Sequence, residues 1–254
     1  MEYFVKQDSV VRKIWGTSDI ILFIFAGAAA EFALNKAVDW LYFTGKLPKD
    51  PLGRLFTTVE YARQIVFSEK EAAEKAIATM AKIHAGVEGK RGAAIPDWAY
   101  RDVLFMLIDY SIRSFELLER KLSPAEKEEV FDVFNRVGLG MGLVGLPSSF
   151  PQWQGMRKEH LHQNLERSHF TTDLFQQYKK HLGALRYRVL LEAQLLVVPR
   201  HVKKLLKLGK VSALLPAVPF YKFSRKIHLD WIMKELLLPG TFKAQIKSLD
   251  RVPG

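Results

Sequence analysis

The sequence predicts an all-α protein, a single compact helical domain of roughly ten helices over residues 1–254. Three observations carry this. Apolar residues recur with the 3.6-residue period over long stretches. Alternating strand patterns are almost absent. The periodic segments are punctuated by helix start and stop residues. In chain order, the apolar stretch from about Asp19 to Phe43 reads as one helix with Ser18 as N-cap. "TGKLPKDPLG" is a loop marked by Gly45, Pro48, Pro51 and Gly53. A helix follows from about Leu52 to Val66. The next starts at Ser68, has acidic residues in its first turn and meets glycines near its end, just after His84. "EGKRGAAIPD" reads as a loop and "WAYRDVLFMLIDYSIRSFELLERKL" as a long apolar helix. Ser123 caps the following helix, with Pro124 at its first position. After the loop "VGLPSSFPQW", residues from Gln154 to about Lys207 read as helix with a break near Gly183 or Pro199. "LLPAVPFY" interrupts the chain, and a last helix is expected from about Ser224 to Leu237.

Composition narrows the function classes. The net charge is +11 and the pI about 9.7. The chain nevertheless shows no recognisable nucleic-acid module, so nucleic acid is not an expected partner. The absence of cysteine excludes disulfides, thiolate catalysis, Cys-based zinc or iron–sulfur sites and covalent haem attachment. It fits a reducing cytoplasm. The N-terminus does not read as a signal peptide, because charges interrupt it. The run Ile20 to Leu34 is shorter than the about 20 residues of a membrane span, and Glu31 breaks it. No G-x-S-x-G or Walker motif is present, and the glycine-rich "GLGMGLVG" (Gly138 to Gly145) has no strand before it, so it reads as close helix packing or a helix end.

Candidate chemistry begins at "MAKIHAGVEG". Ala73, Ala76, Ile77, Met80 and His84 form one helical stripe, so His84 points toward the core. Two readings stay open from pattern alone: a core histidine bonded to a backbone carbonyl, and a metal ligand. On the preceding helix Arg54 and Thr58 are four apart and share a face. A buried arginine requires an anion, such as a carboxylate or a cofactor propionate. An exposed arginine in a helix's first turn is the alternative.

The order "FAGAAAEFAL", "DPLGRLFTTVEYARQIVFS", "AKIHAGVEG", "WAYRDVLFMLIDYSIRSFELL", "GMGLVGLP", "PQWQGM" resembles the family of rubber oxygenase and the oxygenase MpaB. D-P-x-x-R-x-x-x-T and H-x-x-V-x-G are its most specific elements. The resemblance implies a globin-like helical core holding non-covalent haem b. It also implies dioxygen and a hydrophobic, terpenoid or lipid-like substrate as partners, with oxidation extending to C=C cleavage. On it His84 matches the proximal iron ligand, Arg54 the arginine near the haem and Thr58 the distal-side threonine. The position before that threonine, a lysine in rubber oxygenases, is Thr57 here, which leaves the distal ligand open. The segment "NKAVDWLYFTGKL" also departs from the family's proline-containing pattern. A non-catalytic haem-binding or haem-sensing protein is the alternative, and a peripheral membrane protein without cofactor is another.

Three further features have competing readings. Asp109 reads as an i,i+4 partner of Arg113. Glu159-x-x-His162 and Glu166-x-x-His169 resemble di-iron ligand units, but two such units on one helix cannot converge on one centre. A solvated polar face is the expectation. The basic, apolar stretch "RHVKKLLKLGKVSALLPAVPFYK" reads either as an amphipathic segment docked on the bundle or as a membrane-surface contact.

Overall fold

The computed structural model describes residues 2–45, 49–226 and 249, and among them eleven helices follow one another with no strand. They are α1 (Val10–Trp15), α2 (Ser18–Phe32), α3 (Asp39–Phe43), α4 (Pro51–Phe67), α5 (Lys70–Arg91) and α6 (Asp97–Leu118). Then come α7 (Pro124–Gly140), α8 (Phe150–Gln163), α9 (His169–Val197), α10 (Arg200–Leu206) and α11 (Ala217–Lys226). The all-α expectation holds. α2 lies at the centre, packed along α6 and α9; α7 covers α6, and α4 pairs with α5. The core joins Ile14, Trp15, Ile20, Ile21 and Ile24 to Phe105, Met106 and Ile108.

Local chemistry starts several helices as the sequence requires. Ser123 caps α7 in a capping box with Glu126, and Pro124 occupies the first turn. Asp50 caps α4: its carboxylate accepts from Gly53 N at 2.9 Å, with Pro51 next to it. A side chain at Gly53 would overlap that carboxylate. The D-P pair of the motif is therefore a helix start.

Four boundaries differ from the sequence expectation. The helix expected over 19–43 stops at Phe32 and resumes at Asp39, and Ser18 lies inside α2, with Thr17 at its N-cap. Asn35 causes the break. Its Oδ1 accepts from Ala37 N at 2.8 Å, and its Nδ2 donates to Asp102 at 3.0 Å. Thr171 donates to the Ala33 carbonyl at 2.7 Å, and Lys36 and Glu166 exchange backbone bonds with Asn164 and Leu34.

Second, α5 runs through Gly86 and Gly89 to Arg91 and ends only at Gly92, at φ +69. Each internal glycine costs about 1 kcal/mol relative to alanine, and neither ends the helix. Arg91 ties that end to α3, bonding Asp39 at 2.6 Å and lying over the Trp40 ring. Third, the helix expected from Gln154 begins at Phe150, inside the expected loop. The stretch breaks at both Gly183 and Pro199, where one or the other is expected, and also between Gln163 and His169. Fourth, "LLPAVPFY" is partly helical: Pro219 sits in the first turn of α11, where no N–H is needed. Residues 224–226 of the expected last helix belong to α11, and 227–237 lie outside the described residues.

Two polar rungs cross the apolar core. Arg157 of α8 is buried, with a fork onto Glu31 of α2 at 2.5 and 2.6 Å and further bonds to Asp109 of α6 at 3.0 and 3.1 Å. Tyr110 donates to Glu31 at 2.7 Å, and Arg113 holds the other Asp109 oxygen at 2.6 Å. The Asp109–Arg113 pair is the expected one, and it is part of a larger set. Burial would lower the Arg157 pKa, but the Glu31 and Asp109 carboxylates outweigh it and raise the value further. Burial, then the Glu31 charge, pushes the Tyr110 hydroxyl well up, so it stays a donor. Just past the end of α2, Asp102 of α6 joins Asn35 to the Nδ1 of buried His160. Gly27 lets the Tyr110 ring approach the α2 backbone; any side chain there would overlap it.

Removing one member of a buried ion set leaves an uncompensated charge. Arg157→Ala should destabilise the fold by about 3–5 kcal/mol in urea unfolding, whereas Arg113→Ala, at the exposed edge, should cost about 1 kcal/mol or less. At the α7 cap, the bond from Arg120, then that from the Ser123 backbone, holds the Glu126 carboxyl down at about 2, below its usual 4.5. Folding thus favours ionised Glu126. Its contribution is complete above pH 4.5 and is lost as pH falls toward 2. Thermal melts of Glu126→Gln across that window should show a shallower acid limb than the wild type.

Candidate functional site

α4 and α5 carry all four residues singled out in the sequence. The α5 stripe is as expected: Ala73, Ala76 and Ile77 are buried, Met80 packs on the core and His84 is half-buried. His84 therefore stands where the apolar stripe leaves the interior, about two turns before the helix ends rather than at its terminus. Its Nδ1 is 2.8 Å from the Met80 carbonyl, so Nδ1 carries the proton and donates there. Tyr100, in the first turn of α6, meets the imidazole edge-on at a centroid distance of 5.3 Å.

Tyr100 is itself fixed. Its hydroxyl donates to Glu88 at 3.1 Å, and the same carboxylate oxygen accepts from Ile95 N at 2.8 Å. Burial, then the Glu88 bond, raises the Tyr100 pKa. The α5–α6 connector is thus bracketed by one carboxylate a turn beyond His84. Past the histidine, Gly86 and Gly89 face open space: a side chain at either would meet no atom within 4 Å.

On α4, Thr57 and Thr58 are half-buried one after the other. Thr57 Oγ1 donates to the Gly53 carbonyl of its own helix at 3.0 Å. Arg54 lies in the opening turn of the same helix, and its side chain lies outside the described atoms. The structure places Thr57 and Thr58 on one helix of a packed pair and His84 on the other.

A separate cleft of about 460 Å³ is lined by Lys13, Thr17, Ile20, Phe115, Glu119 and Arg120. It involves none of the four residues. Phe115 is about 22 Å along α6 from Tyr100 at 1.5 Å rise per residue.

The di-iron alternative is not supported. Glu159, His162, Glu166 and His169 are exposed. They do not share a helix either: α8 ends at Gln163, Glu166 lies in the connector and His169 opens α9. Among the described residues no three His, Asp or Glu side chains converge as a metal-ligand set. His162 instead meets the ring of His201 of α10 at a tilt of 59°, with centroids 4.4 Å apart. Burial, then the neighbouring His162 and Lys204, lowers the His201 pKa.

Sequence reasoning missed the buried Arg157 and His160. Both lie in a weakly amphipathic, mostly polar helix, where a cation or an imidazole normally faces water. The visible signal for Arg157 was its partner, Glu31, standing alone in an apolar run; His160 pairs instead with Asp102.

A long helical bundle with this motif order is an oxygenase-type catalytic domain. The chain belongs to the family of ER-bound oxygenase mpaB/B′ and rubber oxygenase: the model of that family's catalytic domain matches residues 13–230. A comparison with curated proteins gives no match. Among the described residues no helix is long and apolar enough to cross a membrane.

Proposed function

We propose that the chain is a single-domain, haem b-dependent oxygenase acting on a hydrophobic, terpenoid or lipid-like substrate, with His84 as the protein ligand to iron. The observation that carries this is the state of His84. An imidazole at the edge of an apolar stripe, its Nδ1–H committed to a backbone carbonyl, is the arrangement that fixes a metal-binding histidine's tautomer and ring plane. The residues present therefore fit the group.

Bound there, haem supplies an iron centre that activates dioxygen for oxidation of the substrate. The chain's own residues do the rest. Met80 and Tyr100 hold the His84 ring in one orientation. Arg54 would supply the cation that a propionate requires. Thr58 would offer a hydroxyl to dioxygen. Thr57 offers no charge, and its hydroxyl donates to the Gly53 carbonyl. This distinguishes the chain from a rubber oxygenase and supports a substrate other than rubber. Partly exposed apolar side chains near the start of α6 (Val103, and Val144, whose carbonyl accepts from Arg101) suit a hydrophobic ligand.

The test is spectroscopic. Protein purified from haem-supplemented cells should show a Soret band, and His84→Ala should lose it while keeping its helical circular dichroism. Dioxygen uptake with unsaturated terpenoids then separates an oxygenase from a haem-binding sensor. A colourless wild-type protein that also rejects added haemin would overturn the assignment.

A further inference from the structure

The segment from Arg200 to Lys226 holds eight Lys and Arg residues and no Asp or Glu. It is firmly attached on one side. Val202 is fully buried, and Leu205, Leu206, Leu208 and Tyr221 pack against the core. The connector between α10 and α11 is pinned where Ala213 N donates to Glu192 at 2.6 Å, and Lys222 Nζ reaches the Glu119 carbonyl at 3.1 Å. The docked amphipathic reading thus holds for this inner side.

The outer side does not pack. Val211 is 69% exposed, Leu215 50%, Phe220 77% and Phe223 62%. Phe220 and Phe223 are three residues apart and project from one side of α11. Among the described residues, other exposed large apolar side chains are spread one or two to an element; here four fall within thirteen residues, directly preceded by exposed Lys207 and Lys210.

We propose that this face is a docking surface for an anionic lipid bilayer. Phe220 and Phe223 enter the headgroup boundary, with Val211 and Leu215 beside them, and the exposed Lys207 and Lys210 side chains meet lipid phosphates. The charge pattern selects the occupant. A run of 27 residues with cations alone complements a uniformly negative sheet. A second copy of the chain would bring the same cations against it in a symmetric contact, which repels. Aromatic side chains with snorkelling lysines suit the interface, where one end is apolar and the other wet. The inference is independent of the haem assignment.

The test is co-sedimentation of the full chain with vesicles of phosphatidylcholine with and without phosphatidylglycerol. Binding is expected with the anionic vesicles only and should weaken as salt is raised. Phe220→Ser/Phe223→Ser should lower the partition coefficient about tenfold or more. Its melting temperature should not change, because both rings already face water. Because the chain has no cysteine, a fluorophore on Phe220→Cys reports insertion directly: its emission should rise and shift to the blue with anionic vesicles, while the same label on Lys75→Cys of α5 should not respond. Absence of binding to anionic vesicles at low salt overturns the proposal, as does equal binding by the double variant. So does a double variant whose only change is loss of a self-associated species on gel filtration, which would assign the face to a second copy.

Discussion

The Arg157 guanidinium is the point on which the helices agree. It stands in the core with one fork on Glu31 and another edge on Asp109, joining α8, α2 and α6. A buried cation tolerates no vacancy among its partners, so this contact fixes register more strictly than apolar packing does. The second rung repeats the rule. Asn35 lies four residues beyond Glu31, just past the end of α2, and His160 lies close to one turn beyond Arg157 on α8. Asp102 joins them from α6. Sliding any one helix by a turn, about 5.4 Å, would strand several polar groups at once. The set is near neutral in itself, with two arginines facing two carboxylates around Asp109 and Glu31.

That constraint reaches the candidate site through α6. The helix runs antiparallel to α2, with Tyr110 against Gly27 and Asp102 against Asn35. Its first turn, and with it Tyr100, is therefore held by contacts deep in the core. Tyr100 in turn faces His84 and anchors the α5–α6 connector through Glu88. The α4–α5 pair thus meets a wall whose position is set elsewhere. His84 takes its ring plane from two sides, its own helix carbonyl and that wall.

Periodicity made most of the architecture legible, because a helix that buries one face must repeat every 3.6 residues. The misjudged boundaries share a cause: local signals were overruled by tertiary partners. Nothing at Asn35 forbids helix, yet its amide is captured by Ala37 and by Asp102, 67 residues away. Gly86 and Gly89 resemble stops, yet Arg91 bonds Asp39 and carries the helix past them. For the site, the stripe through Ala73, Ala76 and Ile77 was readable, while His84, expected to face the core, stands half-buried at its edge. The D-P pair has a plain structural explanation in the cap of α4. Arg157 was not readable, since its partners are 126 and 48 residues distant and its own helix looks solvated.

The balance of charge inside the molecule gives the outside its character. Among the described residues, buried Arg63 and Arg157 are outnumbered by the buried carboxylates of Asp19, Glu31, Asp102 and Asp109, so the excess of +11 is displayed at the surface. It is not spread evenly: the segment Arg200–Lys226 contributes eight of those charges, and the rest of the chain is close to balance. A molecule built this way has one strongly positive face and turns that face toward any extended negative surface before contact. The four exposed apolar side chains lie within the same segment. Orientation by charge and retention by apolar contact would then act at one place. Because α10 and α11 are tied to the core at Val202, Lys222 and Tyr221, the direction of that face is set by the same helical framework that holds His84.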